Sequence, residues 1–508
     1  MIIANGRIRI ALVVVSTLTA TPLYAQAPVP VVQNAINSIA QNNLQQHINV
    51  LASDSLEGRE AGSRGGRAAA NYIVEQLRKI GMAPAGVNGE FFQPFGGAAD
   101  YRNILTVIPG SDPVLRNEYV VIGGHYDHVG YGNATNSFGP FGQIHNGADD
   151  NGSGCATLLE LMRAIKTAGY QPRRSILFAF WDGEEKNLLG SKHFVTAPVV
   201  PLQQIKMVLN VDMVGRLTDE RMEILGTRTA VGLRRFVSRR NDQKINIDFN
   251  WDIVGDSDHY PFVQRQIPFV MPFTDKHPDY HRPSDDPDKI NFDGMQRVGR
   301  LVLRLLASFA DMAAIPTYRA RCRVESEGTR RGFERILPPV APRLGVQTDP
   351  ADAGVIVRTV VPNTPAANAG IRQGDQIVQV AGLPVTTETF RPIVQAAPTP
   401  TNIQIVRNGQ TNTVEVRLDG TPRRIGIAWR TDASEPGTMT LTRVIPGSSA
   451  GVGGLEVGDR IYALNGEPTT TDEKFMADIK DQTELRFDVE RKGRLRSVVV
   501  KPPPQMVP

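Results

Sequence analysis

Short apolar runs alternate with longer amphipathic segments between residues 26 and 316. Each apolar run of four to seven residues predicts a strand, and apolar residues at helical spacing predict helices between the strands. This alternation predicts a mixed, mostly parallel sheet that is flanked by helices. The predicted strands span residues 119–122, 175–181, 207–211 and 267–272, and the clearest helices span residues 65–80, 153–166 and 294–313.

The chain begins with a segment typical of a secretory signal peptide. Arg7 and Arg9 precede an apolar run over residues 10–23, and the small residues Ala25 and Ala27 follow it. The run is shorter than the roughly 20 residues that a membrane-spanning helix needs. A buried N-terminal helix is the alternative interpretation. We expect cleavage after Ala25 and an exported protein, periplasmic or secreted, without a stable membrane anchor.

Residues 317–340 interrupt the alternating pattern. They are rich in arginine, and they end near the Pro338-Pro339 pair. Such a segment predicts a solvated linker between domains. Docking of an acidic partner on its arginines is the alternative. We therefore place the boundary of the first domain at residue 316.

The chain repeats itself after this segment. Gly374-Asp375 matches Gly458-Asp459, and Gly382 matches Gly466, at a constant spacing of 84 residues. Both copies are rich in valine, isoleucine and threonine, with glycine at the turns. This period predicts two small β-rich domains, at residues 341–420 and 421–503.

Composition narrows the classes of protein that remain. The 508 residues suggest about three domains, and the formal charge is only +4. Without a long basic run, this charge argues against a nucleic-acid-binding protein. The two cysteines, Cys155 and Cys322, are too few for a disulfide scaffold or a four-cysteine zinc site.

Histidine and acidic residues follow each of the four predicted strands. The carboxyl ends of parallel strands meet at one edge of a sheet, so we expect these side chains to lie close together. So many carboxylates are costly unless cations neutralise them. The mixture of imidazole and carboxylate suits zinc, and the excess of carboxylates able to bridge suits two metal ions. Helix capping and loop structure are the alternative for these acids. The set comprises His125, Asp127, Asp150, Glu184, Glu185, Asp212 and His281.

Several other chemistries lack their motifs. The chain contains no His-Glu-x-x-His helix, no Gly-x-Ser-x-Gly turn and no phosphate-binding loop. A thermolysin-like metalloprotease, a serine hydrolase and a nucleotide-dependent enzyme therefore have no support.

The motifs around these residues resemble family 28 of the metallopeptidases, the zinc aminopeptidases of clan MH. They are Gly-Gly-His-Tyr-Asp-His, Gly-Ala-Asp-Asp-Asn-Gly-Ser-Gly, Trp-Asp-Gly-Glu-Glu, Asn-Val-Asp-Met-Val-Gly-Arg and Tyr-His-Arg-Pro-Ser-Asp, between residues 123 and 285. The resemblance implies two zinc ions bridged by Asp150. His125 and Asp212 would complete one zinc site, and Glu185 and His281 the other.

The resemblance also implies the remaining roles. Glu184 would be the general base, Asp127 would orient His125, and Tyr280 would assist the developing oxyanion. The peptide bond after Asp150 is often cis in this family. Peptides with free N-termini would be the substrates. The alternatives are a carboxypeptidase or glutaminyl cyclase of the same clan, or a catalytically dead peptide-binding protein.

The two repeats resemble PDZ domains of bacterial proteases. Arg343-Leu-Gly-Val346 and Arg424-Ile-Gly-Ile427 open them, and Gly-Asp-x-Ile follows in each. The resemblance implies that a C-terminal peptide adds to a sheet edge of either domain, while a role as spacers is the alternative. Because all predicted metal ligands precede residue 317, we expect the first domain to perform the chemistry alone.

Overall fold

The computed structural model describes residues 30–506, so the predicted signal peptide lies outside the described residues. Residues 30–316 form an α/β domain. It contains the motifs that resemble the metallopeptidases, and it is called the peptidase domain below after that resemblance. Its helices are α1 (Pro30–Asn37), α2 (Gln41–Leu51), α3 (Arg64–Ile80), α4 (Gly154–Ala168), α5 (Leu189–Thr196), α6 (Leu233–Ser238), α7 (Tyr260–Gln264) and α8 (Phe292–Asp311). Its strands are β1 (Ala83–Pro84), β2 (Phe92–Phe95), β3 (Tyr101–Ile108), β4 (Tyr119–His125), β5 (Ser175–Trp181), β6 (Ile205–Asn210), β7 (Arg221–Leu225), β8 (Asn246–Phe249) and β9 (Phe269–Phe273).

The nine strands form one mixed sheet in the order β1-β3-β5-β4-β6-β9-β7-β8, with β2 paired to β3. The central strands β5, β4, β6 and β9 run parallel, and the antiparallel pairs lie towards the two edges. All four predicted strands and the three predicted helices are present, with bounds shifted by a few residues. The predicted fold class is confirmed.

Successive residues of the central strands point to opposite faces of the sheet, and both faces are buried. On β4, Val120 and Ile122 pack into the larger apolar cluster, which α4 and α8 cover. Val121, between them, packs into a smaller cluster on the other face, with Phe194 of α5 and Phe262 of α7. Burial on both faces explains why these strands read as continuous apolar runs in the sequence.

Two antiparallel β-rich domains follow. The first contains β10 (Val346–Pro350), β11 (Val355–Val360), α10 (Pro365–Asn368), β12 (Gln376–Val380), β13 (Leu383–Pro384), α11 (Phe390–Ala396), β14 (Thr401–Arg407) and β15 (Gln410–Val416). The second contains β16 (Ile427–Asp432), β17 (Glu435–Val444), α12 (Ser449–Val452), β18 (Arg460–Leu464), β19 (Glu467–Pro468), α13 (Asp472–Lys480), β20 (Leu485–Arg491) and β21 (Arg494–Val500). Their sheets have the same strand order, and each domain has its own apolar core. Within residues 30–506, no helix combines the length and apolar character needed to cross a membrane.

The arginine-rich segment differs from the predicted solvated linker. It contains the short helix α9 (Glu327–Phe333), here called the linker helix. The segment packs on the peptidase domain. Arg319 pairs with the nearly buried Glu325, and Arg330 pairs with Asp248 at the end of the sheet. Cys322 is fully buried. Local pairing of arginines with acids therefore folds the segment onto its neighbours.

The second β-rich domain is fixed to the peptidase domain through a buried surface, here called the docking interface. Arg234 of α6 pairs with Glu490 of β20, with the Nε–Oε2 distance at 2.8 Å. Arg228 donates two hydrogen bonds to Asp432, at 2.5 and 3.1 Å. The carboxylate of Glu435 accepts the backbone N–H of Arg234 at 2.9 Å. By contrast, none of the hydrogen bonds or ion pairs within residues 30–506 joins residues 342–418 to the peptidase domain.

Candidate metal centre

The structure brings the predicted histidines and acids together at the carboxyl edge of the central strands. The set comprises His125 at the end of β4, Glu184 and Glu185 after β5, Asp212 after β6, His281 in the loop after β9, and Asp150 in the turn before α4. The sequence predicted that these side chains would meet, because the carboxyl ends of parallel strands share one edge of a sheet. We call them the metal centre.

Asp150 lies between the two imidazoles. Its Oδ1 is 3.3 Å from His125 Nε2, and its Oδ2 is 3.1 Å from His281 Nε2. Each imidazole also faces a second carboxylate: Asp212 Oδ1 lies 3.3 Å from His125 Nε2, and Glu185 Oε2 lies 3.2 Å from His281 Nε2. The carboxylate of Asp150 is therefore shared between two similar groups of donors.

These four distances fit zinc ligands better than hydrogen bonds. Neighbouring ligand atoms of a tetrahedral zinc site with bonds of about 2.0–2.1 Å lie roughly 3.3 Å apart. Charge-assisted hydrogen bonds are usually shorter, at about 2.7–2.9 Å. Moreover, Asp212 Oδ1 is buried and accepts no hydrogen bond from any described residue. The residues thus fit a pair of cations, one on either side of Asp150.

The outer nitrogens of both rings support the same assignment. His125 Nδ1 lies 3.1 Å from the backbone oxygen of Asp127, and His281 Nδ1 lies 2.9 Å from that of Asn136. A carbonyl oxygen requires a donor, so each Nδ1 carries a proton. In the neutral ring, the Nε2 lone pair then points at the carboxylates, as a metal ligand requires.

The turn that carries Asp150 is fixed by buried polar groups. The peptide bond between Asp150 and Asn151 is cis, as the resemblance implied. Oδ2 of the buried Asp285 accepts the backbone N–H of Asp150 at 3.1 Å, and its Oδ1 accepts a hydrogen bond from Arg216. The Asn151 side chain donates to the backbone oxygen of Val211 at 2.9 Å. These contacts hold the Asp150 backbone without using its carboxylate.

Glu184 and Tyr280 line a cleft of about 50 Å³ that opens onto the metal centre. The backbone N–H of Glu184 donates to Asp127 Oδ1 at 3.0 Å. The Asp127 carboxylate lies 3.8 Å from His125 Nδ1, so the hydrogen bond that orients this ring is made by the carbonyl of Asp127 and not by its carboxylate. The expected contact was between the Asp127 carboxylate and His125. This carboxylate instead accepts the backbone N–H of Glu184 and so helps to position that residue.

The carboxylates dominate the electrostatics of the centre. Burial raises the pKa of Glu184 well above its usual range, and the nearby Glu185 carboxylate adds to the shift. Burial alone would lower the pKa of His281, but contacts with Asp150 and Glu185 raise it to about 10. The pKa of His125 is raised in the same way, against the effect of burial, by Glu184 and Asp212. The acids therefore favour positive charge between them.

His128 belongs to the centre, although the predicted set of site residues does not include it. Its Nδ1 lies 2.8 Å from Glu185 Oε1. It also lies 3.9 Å from Asp150 Oδ2, and its ring is 5.5 Å from that of His281. His128 could thus orient Glu185 or serve as a further ligand. Its position one residue after Asp127, in a motif of two histidines, was the available signal.

Arg59 is a residue that the sequence gave no reason to select. Its side chain is 1% exposed, and its guanidinium donates to the backbone oxygens of Leu51, Tyr126, Asn146 and Gly147 at 2.5 to 2.9 Å. These carbonyls lie at the end of α2, in the stretch that follows His125, and in the turn that carries Asp150. A lone arginine in a polar stretch has no motif, so only the structure shows this role.

Neither cysteine takes part in a disulfide. Cys155 and Cys322 are both free and buried. The thiol of Cys155 donates to the backbone oxygen of His125 at 3.1 Å, which places it behind the metal centre. Its side chain is buried and packs as a small apolar residue.

The chain is similar to known families and proteins. Residues 103–306 match the profile of Peptidase family M28, and residues 342–418 and 440–491 match profiles of PDZ domains. The leupeptin-inactivating enzyme 1 of Streptomyces exfoliatus is 31% identical over 206 residues, which cover 39% of this chain and 40% of that protein. A probable leucine aminopeptidase of Trichophyton verrucosum is 25% identical over 54% of this chain and 74% of that protein.

A solved structure is also similar. The LapA aminopeptidase of Legionella pneumophila is 21% identical, with a TM-score of 0.48, over 61% of this chain and 81% of that chain. The present chain spans less than half of the Streptomyces relative. The profile matches confirm the predicted peptidase and its two repeats. The chain contains a Peptidase family M28 domain at residues 103–306, followed by two PDZ domains within residues 342–491.

Proposed function

We propose that this protein is an aminopeptidase that holds two zinc ions and removes N-terminal residues from peptides. The observation that carries the proposal is the shared carboxylate of Asp150, which faces an imidazole and a second carboxylate on each side at 3.1 to 3.3 Å. One zinc ion would be held by His125, Asp150 and Asp212. The other would be held by Asp150, Glu185 and His281.

The side chains around the cleft supply the rest of the chemistry. Zinc bound at this centre polarises a carbonyl group and lowers the pKa of water. Glu184 lines the cleft, and within the described residues its carboxylate accepts no hydrogen bond from another side chain. It can take the proton of the attacking water and pass it to the leaving amine. The Tyr280 hydroxyl can donate to the oxyanion, and Asp127 holds the backbone at Glu184.

The charges of the cleft favour an N-terminal substrate. Acidic side chains of Glu184, Asp212 and Asp256 line it, whereas Lys276 is the one cation among its lining residues in the described part of the chain. Of these acids, Asp256 is neither a proposed zinc ligand nor the proposed base, so its charge is not used by the zinc ions and can pair with a free ammonium group. The two complete donor groups disfavour a cyclase that needs one metal ion.

The PDZ domains differ in their ability to take a peptide. In the second domain, Trp429 of β16 donates from Nε1 to Asp472 at the start of α13, at 2.8 Å, and so crosses the space between edge strand and helix. Within the described residues, no side-chain hydrogen bond joins β10 to α11 in the first domain. We therefore assign peptide binding by strand addition to the first domain. Export through the predicted signal peptide would place both domains in the periplasm or outside the cell.

The test combines substrate choice with one isosteric variant. The zinc-loaded protein should hydrolyse leucinamide and leucyl peptides, reject their N-acetylated forms, and lose activity on chelation. Glu184→Gln keeps the size of the side chain but cannot accept the proton, so we expect kcat to fall at least about 100-fold with unchanged zinc content. Activity is followed by release of free leucine, and zinc by elemental analysis.

Glu223→Gln is the matched control, since Glu223 is a partly buried glutamate on β7 that does not line the cleft. This variant should keep its activity. Near-normal turnover by Glu184→Gln would show that another group is the base. Cleavage of acetylated substrates as fast as free ones would exclude an aminopeptidase.

A further inference from the structure

The loop over residues 129–145, here called the aromatic loop, exposes three aromatic side chains. Tyr131 is 48% exposed, Phe138 63% and Phe141 56%. Every other phenylalanine, tyrosine and tryptophan within residues 30–506 is buried or half-buried. A single exposed apolar residue needs no explanation, but a cluster of them marks a surface that contacts another molecule.

Phe138 lies beside the metal centre. Its ring centroid is 6.3 Å from that of His281 and 6.2 Å from that of Tyr280. The backbone N–H of Phe138 donates to the backbone oxygen of His281 at 3.1 Å. This exposed ring therefore borders the place where a substrate would be cleaved.

The loop holds Phe138 in a fixed position. The Arg282 guanidinium donates to the backbone oxygens of Phe138 and Gly139, at 2.7 and 3.0 Å. Ser137 Oγ lies 2.6 Å from His145 Nε2, and it donates to the backbone oxygen of His281 at 3.0 Å. A ring that is already placed costs little conformational entropy when a ligand packs on it.

The residues that line the cleft indicate which part of a peptide would reach Phe138. The apolar residues of the cleft are Met213, Leu225, Met271 and Phe273, and they share it with His125 and Asp212. Neither Phe138 nor His281 is among its lining residues. If the first side chain of the peptide fills this cleft, the chain beyond the scissile bond leaves on the His281 side, over Phe138.

We infer that Phe138 forms an apolar wall for the side chain of the second substrate residue, and so selects peptides with an aromatic or aliphatic residue there. This inference rests on the proposed aminopeptidase function. Two cations adjoin the wall: Lys276 Nζ lies 4.6 Å from the Tyr280 ring, and the Arg282 guanidinium lies 5.9 Å from the Phe138 ring. They would disfavour lysine or arginine at the same position.

The experiment compares two dipeptides with the zinc-loaded full chain. The ratio of kcat/KM for Leu-Phe to that for Leu-Gly measures selection at the second residue. We expect a ratio of about tenfold or more in the unchanged protein. Phe138→Ser should lower this ratio at least about fivefold, and Phe138→Leu, which keeps an apolar side chain, should retain most of it.

Phe141→Ser is the matched control, because Phe141 is similarly exposed in the same loop but has no ring contact with His281 or Tyr280 among the described residues. It should leave the ratio unchanged. Hydrolysis of both dipeptides with an unchanged ratio in Phe138→Ser would overturn this inference and leave the proposed function standing. An equal drop in both serine variants would also overturn it. No hydrolysis of either dipeptide by the unchanged protein would refute both.

Discussion

The metal centre and the docking interface are both buried clusters of charged side chains, and they balance their charge in opposite ways. Within the described residues, no arginine or lysine forms an ion pair with the Asp150, Glu184, Glu185 or Asp212 carboxylates. At the docking interface, Asp432 pairs with Arg228 and Glu490 pairs with Arg234. One cluster needs cations from outside the chain, and the other contains its own.

This difference distinguishes a cluster that is suited to binding a ligand from a cluster that holds two domains together. A buried charge is tolerated when a partner compensates it, so the docking interface can be complete in the folded chain. The metal centre leaves its acids without such partners, and clusters of this kind are typical of sites that bind a ligand. The comparison can be tested by changing the charge balance of each cluster.

The largest effect is expected from Asp150→Ala. It removes the carboxylate that faces both imidazoles, so both proposed zinc sites lose the ligand that they share. We expect the zinc content to fall from two ions per chain to one or none, together with the activity. Elemental analysis after dialysis measures this loss. Two tightly held zinc ions in the variant would contradict the bridging role of Asp150.

A second experiment gives the docking interface an uncompensated acid. Arg234→Met leaves Glu490 buried without its bidentate partner, and removing one member of a buried pair costs about 3–5 kcal/mol. Faster hydrogen exchange in α6 and in the turn between β20 and β21 would report the loss. The double variant Arg234→Met, Glu490→Met should recover part of it.

Arg64→Met provides the comparison with a surface pair. Arg64 is largely exposed where it meets Glu57, and solvent screens such a pair, so it contributes little to stability. If Arg234→Met changed exchange no more than Arg64→Met, the interface would not depend on its internal ion pairs.

The smallest effect concerns Glu435, a buried acid of the interface without an arginine side chain as ion-pair partner. Burial raises its pKa to about 7, against the effect of the nearby Arg235 and Arg234, and Tyr462 also faces it. A raised pKa means that the folded protein binds this proton more tightly than the unfolded chain. Stability from this group is therefore present below the unfolded pKa of about 4.5 and is lost as pH rises through about 7.

Glu435→Gln mimics the protonated acid and should remove this part of the pH dependence. Denaturant unfolding of the docking interface, measured at pH 5 and pH 8, should show a smaller difference in the variant than in the unchanged protein. Glu473→Gln changes an exposed glutamate of α13 and should have no effect. A pH dependence that Glu435→Gln leaves intact would mean that another group is responsible.

The two regions also differ in how far the sequence predicted them. Most predicted members of the metal centre lie within a few residues of a strand or helix end, whereas His281 lies in the long loop after β9. The meeting of strand ends at one sheet edge was enough to predict that His125, Asp150 and Asp212 lie together. The docking interface joins Arg228 to Asp432, which are 204 residues apart, and no local pattern identifies such partners. The expectation that the peptidase domain performs the chemistry alone came from sequence separation and stays a prediction, although α6 of this domain has buried contacts with the second PDZ domain.

The guanidinium group of Arg59 should couple the motions of three chain segments around the metal centre. Its contacts join the end of α2, the stretch after β4 and the turn before α4 through their backbone oxygens. If one of these segments moved away, a buried cation would lose part of its solvation. The three segments should therefore open together or not at all, as one cooperative unit in native-state exchange. The segments around the metal centre would then fluctuate as a single body, although they are far apart in the chain.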